Sequence, residues 1–120
     1  MASLELQRRT RVFALRVIDL VKELPVGRTG DVIGRRLLRC GTSVGANYRA
    51  ACRARSRADF VAKMGVVEEE AHESIYWMEL LVESRLARPE RVATLLTEAN
   101  ELVAMTVSSI KTARQNKRRA

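Results

Sequence analysis

Apolar residues recur at three- and four-residue spacing along nearly the whole chain, and no stretch alternates with the period of a strand. Four amphipathic segments follow. The first spans about residues 4–24, with Phe13, Val17, Leu20, Val21 and Leu24 on one side, and Pro25 and Gly27 end it. The second spans about 29–54, with Thr29 as its expected N-cap. The third opens at Ser56-Arg57-Ala58-Asp59, a capping-box variant with an acidic residue at the third helical position. It spans about 57–86 and carries Phe60, Met64, Val67, Ala71, Ile75, Met78 and Val82. The fourth opens at Arg88-Pro89-Glu90, where proline suits the first turn, and spans about 89–114. Its apolar positions are Val92, Leu95, Leu96, Ala99, Leu102, Val103, Val107 and Ile110. Residues 115–120 are a polar, basic tail expected to fray.

Short links between long helices force antiparallel neighbours. The pattern therefore predicts an all-α fold, an antiparallel up-down-up-down four-helix bundle, in one domain over residues 1–120. There is no internal repeat and no low-complexity tract.

The second segment changes the picture. Between Asp31 and Asp59 there is no carboxylate, yet Arg35, Arg36, Arg39, Arg49, Arg53, Arg55 and Arg57 all lie there. At about 100° per residue, Arg28, Arg39, Arg49 and Arg53 fall within roughly 40° of Arg35. Leu37, Gly41, Val44, Tyr48, Ala51 and Cys52 cluster opposite. Gly34, Gly41 and Gly45 sit inside this helix, each costing about 1 kcal/mol relative to alanine, and Ala46, Ala50, Ala51 and Ala54 extend the small-residue character. Such a surface implies close packing on a neighbour, inside the subunit or across an interface. The alternative is a bend or break near Gly41–Gly45.

Composition narrows the function classes. A net charge of +8 and a pI near 10.5 favour a polyanionic partner. Arginine's planar fork suits phosphate. Aromatics at 4% argue against a base-stacking platform. No apolar run reaches membrane-spanning length, and Met1 leads straight into a charged amphipathic segment, so a cytoplasmic protein without a membrane partner is expected. Cys40 and Cys52 share one helix about 18 Å apart, too far to bridge, and read as buried free thiols.

Candidate chemistry is sparse. Glu69-x-x-His72 matches half of a di-iron carboxylate site, but His72 is the sole histidine and no second pair exists. The glycines form no phosphate-binding loop, and no nucleophile stands beside a base. No catalytic residue, metal site or cofactor is expected. Glu69, Glu70 and Glu73 read instead as partners for the arginines of the second helix, in the same chain or in a neighbour. Tyr76 and Trp77 face different directions. Either one joins the core while the other lies at a helix junction or a subunit interface, where an exposed tryptophan would be an anchor, or both are core residues.

Several blocks together resemble a known family. They are Phe13 with Val17 and Val21, Leu24-Pro25, Ser43-Val44-Gly45-Ala46-Asn47-Tyr48-Arg49, Arg55-Ser56-Arg57-Ala58-Asp59-Phe60, and Glu70-Ala71 through Leu81. From about Val12 to Lys111 the chain is similar to the small four helix bundle proteins encoded by intervening sequences in bacterial large-subunit ribosomal RNA genes. The resemblance implies an up-and-down subunit in a homo-oligomeric ring, commonly a pentamer. It also implies kinship with the basic, nucleic-acid-binding accessory variability protein of diversity-generating retroelements. Many members carry Glu-Gly shortly after the asparagine of the second helix; here Ala51-Cys52 removes that carboxylate.

Two functional expectations stand side by side. One is a non-enzymatic oligomer that binds DNA or RNA, largely without regard to sequence, through Arg35, Arg39, Arg49, Arg53, Arg55 and Arg57. The other is a structural or adaptor oligomer whose arginines pair with Glu69, Glu70 and Glu73 and which binds a protein partner.

Overall fold

A computed structural model describes residues 2–119, with side chains described over 4–116. It contains α1 (Ala2–Lys22), α2 (Arg28–Cys52), α3 (Arg57–Glu83) and α4 (Pro89–Arg119). The helices pack in cyclic order as an antiparallel bundle with extents of 53 × 21 × 20 Å. α1 lies between α2 and α4, and α3 closes the other side.

The breaks have local causes. Gly27, not Thr29, is the N-cap of α2; its φ of 156° is a backbone state that L side chains rarely adopt. Ser56 caps α3 by accepting from the Asp59 N–H at 3.0 Å, while Asp59 accepts from the Arg55 N–H and binds Lys63. α3 stops at Glu83 rather than near residue 86. Arg85 takes φ 64°, and its N–H and that of Leu86 donate to the carbonyls of Val82 and Leu81, a left-handed helix cap. The tail expected to fray is helical through Arg119; Ala120 lies outside the described residues.

The core lies along the bundle axis. α1 contributes Phe13, Val17 and Leu20, and α2 contributes Leu37, Val44 and Tyr48. From α3 and α4 come Met64, Val67, Met78 and Leu81, then Val92, Leu95, Ala99 and Leu102. Of the positions expected inside, Val21, Leu24, Phe60, Ile75, Val82, Leu96 and Val103 are half-buried and Val107 is exposed. The buried hydroxyls of Thr10, Ser74 and Thr106 donate to carbonyls one turn back. Of the two cysteines expected to be buried, only Cys40 is, and burial pushes its thiol pKa up. Cys52 is exposed because α2 ends there, one residue past Ala51, the last position that faces the core.

The small-residue surface of α2 packs inside the subunit, against α1, and α2 runs unbroken past Gly41 and Gly45. A Cβ on Gly34 would meet Leu24 at 3.1 Å and Val21 at 3.3 Å. One on Gly41 would stand 2.9 and 3.0 Å from the two methyls of Val17, and one on Gly45 would stand 3.1 Å from the Thr10 hydroxyl. Gly65 on α3 is different, with nothing within 4 Å of its virtual Cβ. Opposite outcomes are expected in urea denaturation. Gly41→Val should lower stability by about 1–3 kcal/mol through overpacking on the stiff, buried Val17. Gly65→Ala should raise it by about 1 kcal/mol through helix propensity. A Gly41→Val protein as stable as the parent would show that the seam is not closely packed.

Candidate nucleic-acid interface

Antiparallel packing gathers at one end of the bundle the start of α1, the end of α2, the α2–α3 link, the start of α3 and the end of α4. That end receives Arg8 and Arg11 from α1, Arg49 and Arg53 from α2, and Arg55 and Arg57 from the link and α3. Lys111 and Arg114 of α4 join them. At the opposite end the signs are mixed: Arg28, Arg35, Arg88 and Arg91 stand among Glu23, Asp31, Glu83 and Glu90.

Ion pairing sharpens the division. On the α1–α4 side Arg9 grips Glu98 through two nitrogens at 3.0 and 2.7 Å and reaches Glu101 at 2.7 Å. Arg91 grips Glu23 at 2.6 and 2.8 Å, and Arg16 donates to Thr94 at 2.6 Å. Midway along the α2–α3 side Arg39 binds Glu70 through both terminal nitrogens, at 3.1 and 3.0 Å, and Glu73 at 3.0 Å. Glu73 also accepts from the Trp77 indole at 3.1 Å. Among the described residues, Arg8, Arg11, Arg35, Arg49, Arg53, Arg55 and Arg57 make no ion pair, and each is exposed.

The six arginines named from the sequence therefore do not act alike. Arg49, Arg53, Arg55 and Arg57 are brought together at the basic end. Arg35 lies about 27 Å from Arg53 along α2, at the mixed end. Arg39, between them, is bound to Glu70 and Glu73 of its own chain's α3. Glu69 is exposed and unpaired among the described residues. Trp77 is half-buried against the core, and its ring meets Tyr76 edge-on at 4.9 Å, while Tyr76 is 55% exposed. His72 is exposed too, and no group of three or more His, Cys, Asp or Glu among the described residues is placed to hold a metal ion.

Arg8 and Arg11 lie on α1, outside the single-helix projection that singles out the α2 arginines. The signal was available: they are spaced i,i+3 on α1, and an antiparallel link of a few residues sets the start of α1 beside the end of α2.

Fold and charge together define a basic, antiparallel four-helix bundle. The chain belongs to the 23S rRNA-intervening sequence protein family, whose model matches residues 2–108. It is also similar to the 1.70 Å crystal structure of a protein of unknown function from the S23 ribosomal protein family of Bacteroides thetaiotaomicron. The two share 34% identity with a TM-score of 0.86, over 92% of this chain and 99% of that one. No curated protein matches the chain.

The Arg39 cluster has a measurable signature. The Trp77 indole N–H, and then Arg39, hold the Glu73 carboxyl below its usual range against the opposing effect of partial burial. With its folded pKa lowered, Glu73 contributes stability that is fully present above the unfolded value of about 4.3 and is lost as pH falls through the lower folded value. Trp77 is the sole tryptophan, so its fluorescence should report this step with a midpoint below the usual carboxylate range. Glu73→Gln should remove the step. A midpoint at or above the usual range would contradict the cluster as described.

Proposed function

We propose that the chain is a non-enzymatic, cytoplasmic homo-oligomer that binds nucleic acid, largely without regard to sequence, through the arginines at one end of the bundle. The observation that carries this reading is the exposed, unpaired set Arg49, Arg53, Arg55 and Arg57, gathered where carboxylates are few, while Glu23, Glu70, Glu73, Glu98 and Glu101 already hold other arginines. Unpaired guanidinium groups at this density repel one another, and phosphate relieves that repulsion while releasing its own counterions. Arg39 contributes less than its place on the α2 surface implies, because phosphate would have to displace two carboxylates. A ring, a pentamer by family resemblance, would repeat the basic end in each subunit and raise modest contacts by avidity.

A second reading is favoured by the Arg39–Glu70–Glu73 cluster: an adaptor oligomer whose α3 carboxylates order α2 and whose exposed Tyr76 meets a protein partner. It predicts protein free of nucleic acid on purification, with a low ratio of absorbance at 260 to 280 nm.

Four phosphate contacts should give a salt slope of about −3 to −4 on logarithmic axes. Affinity should then drop roughly a hundredfold between about 50 and 200 mM salt. Arg49→Glu with Arg53→Glu should abolish binding with helicity intact by circular dichroism. Undiminished affinity in that double variant would remove the assignment.

A further inference from the structure

Four of the unpaired arginines, Arg8, Arg11, Arg49 and Arg53, are not spread over a convex surface. Above the close approach of Gly45 to Thr10, α1 and α2 leave an open groove of about 470 Å³, with these two residues at its floor and Arg8, Arg11 and Arg49 on its walls. A second compartment of about 620 Å³ continues it toward the end of α2, past Ala50, Cys52 and Arg53. The two share Gln7, Ala46 and Arg49, so they form one trough. Among the described residues, no carboxylate lines either part.

We infer that this α1–α2 groove is the seat of a single strand of nucleic acid, its phosphates held between Arg8 and Arg11 on one wall and Arg49 and Arg53 on the other. The inference rests on the nucleic-acid reading above and adds the place and the form of the ligand. Charge on both walls and none opposing it selects a polyanion. Size selects its form. Helices packed together stand about 8–10 Å apart, and the glycine at the floor keeps this pair close, so a duplex can only rest on the rim. Each compartment has the volume of a small-ligand site, enough for a nucleotide unit. The trough offers no aromatic side chain for stacking. Bases would meet Gln7 or lie flat on guanidinium planes, which recognise nucleic acid without reading its sequence.

Fluorescence anisotropy with a labelled single-stranded oligonucleotide and a duplex of equal length, as DNA and as RNA, tests this. The parent should favour the single strand. Ala46→Phe fills the trough at an exposed position without changing charge, and it should lower the ratio of single-strand to duplex affinity about tenfold. Arg8→Glu with Arg11→Glu, at two exposed α1 positions, should lower single-strand affinity by at least as much. It carries the test alone should the filled groove not fold. Bound single strand should also slow alkylation of Cys52, with buried Cys40 silent. If the parent binds nucleic acid but neither variant changes the ratio or the affinity, the groove is not the site and the broader reading stands. If the parent binds neither DNA nor RNA, or prefers polyglutamate, both fall.

Discussion

The close approach of α1 and α2 is the constraint on which the rest of the molecule depends. Gly34, Gly41 and Gly45 remove the Cβ atoms that would strike Val21, Leu24, Val17 and Thr10. Each glycine costs helix propensity, and each is offset by dispersion contacts with the side chain that takes its place. The seam also fixes register. With Gly45 over Thr10 and Gly41 over Val17, the first turns of α1 can lie only beside the last turns of α2. The facing of Arg8 and Arg11 with Arg49 and Arg53 is therefore a consequence of packing.

The two sides of α1 are held differently. Its α2 side is apolar and glycine-lined, whereas its α4 side is closed by Arg9 with Glu98 and Glu101 and by Arg91 with Glu23. Part-exposed pairs of this kind add modestly to stability. Their larger effect is on charge distribution. Every carboxylate tied to an arginine on the α1–α4 and α2–α3 sides is unavailable at the basic end. The chain has enough acidic residues to compensate more of its arginines, but the topology holds them elsewhere.

The fold was largely legible because its signals are local. Apolar spacing located four helices, Pro25, Ser56 and Pro89 marked their boundaries, and short links set their direction. The glycine surface of α2 was read correctly as a site of close packing, although the pattern left open whether the neighbour was internal. Helix ends were less legible: α2 starts at Arg28, after the one backbone angle at its N-cap Gly27, and α3 ends at Glu83 because of the cap around Arg85. The candidate site was half legible. An angular projection treats one helix at a time, so it ranked Arg35 with Arg53 although they lie at opposite ends, and it had no place for Arg8 and Arg11 on another helix. The capture of Arg39 by Glu70 and Glu73 depends on the register of α2 against α3, which spacing within either helix does not specify.

Concavity is what distinguishes the basic end from an ordinary charged surface. On a convex helix face a guanidinium group is wrapped by high-dielectric water and mobile ions, and its field decays within about 8–10 Å at moderate salt. Between two walls of low dielectric the fields of facing cations add and are focused into the gap. The effect requires like charges on both walls and no carboxylate between them, and the α1–α2 trough meets both conditions. Arg35, also exposed, lines neither part of the trough and stands at the end where carboxylates mix with the arginines. Two exposed arginines can thus stand in different fields, and the difference lies in the glycine-set approach of the helices beneath one of them.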